Sequence, residues 1–365
     1  MNRTLRLAVV ASFALAAVGC SSSNDTAATT TSAGTVAGST TTAAGSTTTS
    51  TTTAATTTTL PAATTTVPAG PVYPLTGLPV TDAAAAARPA LVVKIDNNAD
   101  ARPQNGLNEA DIVFEEIVEV QTRFAAVFQS QGADPVGPIR SGRTQDVLLL
   151  GSLNHPLFLW SGGNPAVTRA IENSDFVNLS AQRGSVYGPA GFFRSNSRSS
   201  PHNLYATTSA AWTLTPAGAT PPAQQFQYLA AGAARTGDPA SGVNLEMDGL
   251  PIEWRYAAAS GLYLRSNGGT PHNDVLSGQV STHNVVVMVV DYQPSAADAN
   301  SPEAQTIGSG TVLVYTGGVV VQGTWSRPDR LSPIVLTDAG GAVIPLTPGR
   351  TFIELVRPGT FGTVA

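Results

Sequence analysis

Residues 21–70 place the strongest constraint on this chain of 365 residues. They are almost all Ser, Thr, Ala, Gly and Pro, with Asp25 as the single charge. Such a stretch has too few large apolar groups to offset the entropy of ordering it, so it reads as a disordered tether. Its Thr/Ser density with scattered Pro also suits a glycosylated stalk. About fifty flexible residues span roughly 40 Å as a random coil. Everything able to build a core therefore lies from residue 71 onward, enough for one large or two medium domains.

The segment before the tether, residues 1–20, reads as an export signal. Arg3 and Arg6 supply a positive start, Leu7–Val18 an apolar run, and Ala17-Val18-Gly19-Cys20 a small-residue cleavage site ending in cysteine. The apolar run is shorter than the ~20 residues a spanning helix needs. Cys20 is the only cysteine, and its place fits a lipobox, in which the thiol is acylated and anchors the mature chain. The expected location is the outer face of the cytoplasmic membrane. No disulfide is then available, so the core alone must hold the fold. Loss of Arg3 and Arg6 takes the formal charge from −5 to −7 (−5 minus 2). An acidic chain of this kind lacks the basic face that nucleic-acid binding requires.

The rest divides by pattern. Asp82–Ala87 is expected to be a short helix capped by Asp82. Residues 90–95, 112–120, 124–129 and 156–160 read as strands rich in β-branched and apolar residues. Strand alternation puts Glu115 and Glu119 on one face and Glu116 on the other. Thr144–Leu153 and Leu204–Leu214 read as helices. Asn164 and Pro165 are helix-start signals for a helix ending near Glu172. Pro216–Pro222 is a boundary. After it come strands at 252–256, 262–265, 284–291, 310–315, 319–325, 334–337 and 352–356, separated by turns such as Gly317-Gly318. The expectation is an α/β N-terminal domain over 71–215, with a mixed sheet and helices. A β-rich, mostly antiparallel C-terminal domain over 223–365 follows it.

The order of motifs carries a resemblance. Pro74-Leu75-Thr76-Gly77, Ile95-Asp96-Asn97, Ala101-Arg102-Pro103-Gln104, Gly137-Pro138-Ile139-Arg140-Ser141-Gly142-Arg143 and Pro201-His202-Asn203-Leu204-Tyr205 come first. Tyr263-Leu264-Arg265, Pro271-His272-Asn273-Asp274, Gly323-Thr324-Trp325 and Pro348-Gly349-Arg350-Thr351 follow. Together they resemble the YerB-like lipoproteins, a bacterial family built on the two-part DUF3048 domain. The resemblance implies a lipid-anchored, outward-facing protein with an α/β part and a β-rich part. It implies no activity, so function is read from the residues.

The polar features gather on the loop 137–143. Arg102, Arg123, Arg140 and Arg143 accompany Asp96, Glu109, Asp111, Glu115 and Glu119. Guanidinium forks pair with such carboxylates internally, or with the carboxylates and phosphates of a ligand. Gly162-Gly163-Asn164 precedes a helix and offers backbone N–H groups to an anion or polyol. The candidate ligand site is therefore Asp96, Arg102, Arg123, Arg140, Arg143, Gly162, Gly163 and Asn164, with His202 and Asn203 closing it. Asp96, Glu115, His272 and Asp274 are the candidate acid–base residues, His272 with Asp274 as its orienter. No metal-ligand spacing exists, and no cofactor is called. The expected role is non-catalytic binding of an envelope ligand: a cell-wall glycan, an anionic small molecule or an envelope protein. A hydrolase or transferase acting on cell-wall polymer is the alternative, and a structural scaffold the third reading.

Overall fold

The computed structural model describes residues 70–230 and 232–365. The expected signal, the expected lipidation site at Cys20 and all but the end of the expected tether lie outside the described residues. One large mixed sheet organises the rest. Its strands are β1 (Leu91–Asp96), β2 (Ile112–Val118), β3 (Gln121–Phe128), β4 (Leu157–Trp160) and β5 (Val177–Ser180) from the first part. A second sheet starts with β6 (Gly242–Met247), β7 (Leu250–Ala257) and β8 (Leu262–Asn267). The chain then returns to the large sheet with β9 (Asn284–Val289), makes the hairpin β10 (Tyr292–Ser295) and β11 (Asp298–Ala304), and adds β12 (Gly308–Thr316), β13 (Val319–Arg327), β14 (Val335–Asp338) and β15 (Thr351–Val356). Strand β16 (Phe361–Val364) closes the second sheet against β6.

The large sheet runs β14-β13-β12-β9-β15-β2-β3-β1-β4-β5, with Asp238–Pro239 paired to β13 as an eleventh strand. Strand β15, near the end of the chain, lies parallel between β9 and β2. The α/β and β-rich regions expected from sequence thus share one continuous sheet. The apolar runs behind β1, β4 and β15 are buried on both faces, as central strands require. On one face β6, β7 and β8 pack Val243, Trp254 and Tyr263 against Phe124, Val285 and Phe352. On the other face Leu149, Val167 and Ile171 cover Phe158, Trp160 and Ile353.

The helices are short: α1 (Ala83–Ala87), α2 (Gln145–Leu149), α3 (Pro165–Glu172), α4 (Gly184–Tyr187) and α5 (Thr208–Trp212). Asp82 accepts from Ala84 N and Ala85 N, and Asn164 from Ala166 N and Val167 N, so both expected caps form. The helix expected over Leu204–Leu214 is corrected: Leu204–Tyr205 is a short strand, and only Thr208–Trp212 is helical. Leu204 O is taken by Ile139 N at 2.6 Å, which pulls those residues into an extended course.

Candidate functional site

Loop 137–143 lies across the carboxyl ends of β1 and β4, two parallel neighbours. Backbone bonds fix it there: Asp96 N donates to Pro138 O at 2.9 Å, Arg140 N to Lys94 O at 2.8 Å and Ser161 N to Arg140 O at 3.0 Å. Gly142 is seated directly on Trp160; a Cβ there would come within 2.9 Å of the indole and 3.0 Å of Ile171. The chain leaves β4 through Ser161, turns at Gly162 with φ 107°, and enters α3. Gln182 folds over Gly162 at a distance that leaves no room for a Cβ.

A cleft of about 330 Å³ opens between these two turns. Its wall is Ser141, Arg143, Ser161, Gly162, Gly163, Asn164 and Gln182, with Glu119 at the rim. The opposite wall is the hairpin β10–β11, through Ser295, Ala297, Asp298 and Ser301. The hairpin is held by Ala304 N donating to Gln145 Oε1 at 2.7 Å and by Thr144 Oγ1 bonded to Ser295 Oγ at 2.7 Å. At its base Tyr292 accepts from Ile117 N at 3.2 Å and donates to Leu355 O at 2.8 Å. The backbone N–H groups of Gly162 and Gly163 donate to no other group among the described residues. A cleft at the carboxyl ends of parallel strands is where open α/β sheets commonly hold ligands. A larger groove of about 430 Å³ runs beside Phe226 and Ile334–Leu336, but its walls carry no titratable side chain.

The arginines are mostly spoken for. Arg143 grips Glu119 with both branches, Nε to Oε1 at 3.0 Å and Nη2 to Oε2 at 2.6 Å. Burial raises the Glu119 pKa, and the hydrogen bonds and charge of Arg143 more than offset this, so the carboxyl stays below its usual range. Arg140 Nε meets Asp96 Oδ2 at 3.0 Å, and His202 Nδ1 meets the same oxygen at 2.7 Å. Arg102 donates to Asn97 Oδ1 and Asn97 O at 3.0 and 2.9 Å. Asn203 accepts from Arg194 at 2.7 Å. Of the two pairings open to these guanidinium groups, Arg143 takes the internal one in full, with Glu119 and Gly142 O, whereas Arg140 is held through Nε alone. Arg123 is the exception. It is 4 % exposed, donates to Ser141 O at 3.0 Å, and its Nε has no partner. Burial lowers its pKa to about 10, with Arg143 and Arg140 adding to the effect.

Of the ten expected ligand residues, Arg143, Gly162, Gly163 and Asn164 line the cleft. Arg123 stands behind Ser141, Arg140 joins Asp96 and His202 in a neighbouring cluster, Arg102 bonds Asn97, and Asn203 is held by Arg194 and Ser195. Gln182 and the hairpin residues were not among the expected residues. Gln182 has no sequence signal, and β10–β11 is too polar to read as strands.

The acid–base candidates sit elsewhere. Glu115 is fully buried and accepts from Asn97 at 3.0 Å, Thr122 at 2.6 Å and Arg265 at 2.7 Å. His272 lies between Arg265, which bonds Nδ1, and Gln104 Oε1, 2.7 Å from Nε2. Burial, then Arg265 and Arg102, hold its pKa well below the ordinary value, so the ring is neutral. The expected His272–Asp274 pair does not form: Asp274 accepts from the backbone N–H of Leu107 and Leu276, at 2.7 and 2.8 Å. Glu119 departs from the alternation because it lies past the strand, in the β2–β3 turn at φ 21°. Glu115 and Glu116 do face opposite ways. Glu116 meets Lys94 Nζ at 2.7 Å, and the same nitrogen meets Asp146 at 2.8 Å.

Family models for the N-terminal and C-terminal domains of "Protein of unknown function (DUF3048)" match residues 75–220 and 243–353. Over 294 residues the chain is 28% identical to YerB of Bacillus subtilis (strain 168), a protein provisionally described as a lipoprotein; the match spans 78% of this chain and 85% of that one. The crystal structure of the YerB protein from Bacillus subtilis shares the fold with a TM-score of 0.68 at 25% identity, over 81% of this chain and 100% of that one. The mixed sheet with few helices and the antiparallel C-terminal region are features of this shared fold.

Proposed function

Given that the chain belongs to the YerB-like DUF3048 family, we propose that it is an envelope lipoprotein, anchored through Cys20, whose cleft binds a carbohydrate without transforming it. The observation that carries this reading is the lining. Hydroxyls of Ser141 and Ser161, the amide of Gln182 and the unengaged N–H groups of Gly162 and Gly163 converge on one space. Such a set exchanges hydrogen bonds with many hydroxyl groups at once. Catalysis would need two titratable groups whose pKa values are pushed apart in the cleft. Glu119 is clamped by Arg143, Asp298 on the opposite wall accepts from Asn300 N at 3.0 Å in the turn of the hairpin, and Glu115, His272 and Asp274 serve the buried framework instead.

One observation favours a ligand that also carries an anionic group. Arg123, buried behind Ser141, pairs with no carboxylate among the described residues, and the charges of Arg143 and Arg140 lie beside it. The test is thermal unfolding of the purified chain with neutral and uronic-acid oligosaccharides, alongside Ser161→Ala/Gln182→Ala. Ligand at about 100 times its Kd adds about 2.7 kcal/mol, a shift of a few degrees. A shift in the parent that is lost in the folded variant supports the reading. A preference for the acidic series supports the anionic form of it, and no shift with either series would remove it.

A further inference from the structure

On the far side of the hairpin β10–β11 lies a second hollow of about 260 Å³. The two faces of the hairpin divide between the hollows. Ser295, Asp298 and Ser301 border the first, while Pro294, Asn300 and Pro302 border the second. Glu119 borders both. Its place in a tight turn, beside Val120 at 88 % exposure, brings it to the rim, and the two-branched grip of Arg143 fixes it there.

The chemistry of the second hollow continues that of the first with one addition. Gln293 and Asn300 present amide edges, and Pro294 and Pro302 present apolar faces. A sugar ring has both: an apolar face of C–H groups and a rim of hydroxyls. Arg357 is a fixed wall and not a free cation. It lies 4.6 Å from the centre of the Tyr292 ring and pairs with Asp248 at 2.8 and 3.1 Å.

We propose that the two hollows are consecutive subsites of one groove, joined at the Glu119–Arg143 pair, and that its ligand is a linear oligosaccharide occupying both. This rests on the carbohydrate reading of the first cleft and adds the length of the ligand. A second contact on the same molecule is intramolecular, so affinity grows with chain length until both subsites are filled.

The experiment is calorimetric titration of the full-length chain with two series of one to six units, β-1,4-linked N-acetylglucosamine and galacturonic acid. Affinity is expected to rise by about tenfold or more (about 1.4 kcal/mol) as the second subsite is reached, and then to level off. Gln293→Ala/Asn300→Ala, at two exposed positions, is expected to remove that gain, so that long oligomers bind no better than short ones. Binding of short oligomers with no gain on lengthening overturns the groove and leaves the carbohydrate reading standing. A gain that survives the double variant overturns it equally. Absence of binding by every member of both series removes the carbohydrate reading, and the groove falls with it.

Discussion

Lys94, the one lysine of the chain, is fully buried with Glu116 and Asp146. One cation between two carboxylates leaves the group a charge short of neutral unless a proton stays on. Burial, followed by the charge of Asp146, pushes the Glu116 pKa up to about 7, against the opposing pull of Lys94. The folded value thus lies above the unfolded one of 4.5. The contribution of Glu116 is complete below pH about 4.5 and is lost as pH rises to about 7, because the unfolded chain releases the proton first. Glu116→Gln carries no such titration. Its stability relative to the parent is expected to rise by up to roughly 3 kcal/mol between those limits and to stay level above them. Urea denaturation across that range measures the difference, and a flat profile would mean that Glu116 is ionised throughout. Removal of the cation is the harsher change. Lys94→Met leaves two buried carboxylates facing each other and is expected to cost about 3–5 kcal/mol by the same measurement. The backbone N–H of Arg143 donates to Asp146 at 2.6 Å, so damage here would reach the cleft wall.

At the scale of the element, α3 shows how local chemistry sets one side of the cleft. Asn164 accepts at 3.0 and 2.9 Å from two N–H groups that the helix cannot satisfy itself. Asn164→Ala is expected to lower stability by about 1 kcal/mol with an unchanged denaturant slope, whereas Asn164→Asp, which keeps the acceptor, should stay within a few tenths. This element was legible in the sequence because capping involves neighbours along the chain. Strands β1, β4 and β15 were legible because unbroken runs such as Leu91-Val92-Val93 suit only a buried strand. Strand β6 escapes that reading although Val243, Leu245 and Met247 alternate regularly. The hairpin β10–β11 carries no comparable pattern, since Pro294, Ser295, Asp298, Asn300 and Pro302 fit a loop equally well. Its position depends on Thr144 and Gln145, far away in sequence. The same holds for the arginines. The sequence shows four guanidinium groups near five acids, but which ones pair is decided by the fold of the loop: Asp96 stands opposite Arg123 in register and yet pairs with Arg140. The half of the cleft made by Arg143 and Gly162–Asn164 was therefore readable, and the half made by the hairpin was not.

At the scale of the whole molecule, strand β15 governs the behaviour of the described residues. It joins β9 to β2, so neither part of the large sheet is complete without it. Residues 70–365 are expected to unfold in a single transition, with calorimetric and van't Hoff enthalpies in agreement. A fragment covering residues 70–220 should show no cooperative transition, because the edge of β2 is left unpaired and its apolar face uncovered. Two separate transitions in the intact chain would refute this. The position of β15 also sets an order of events. A polypeptide is made with its first residues leading, and Thr351–Val356 follows every other strand of the large sheet along the chain. Until it is made, β2 and β9 have no partner on their facing edges, and the sheet stays open and unfinished. Completion is thereby deferred until every other strand of the large sheet has already been made.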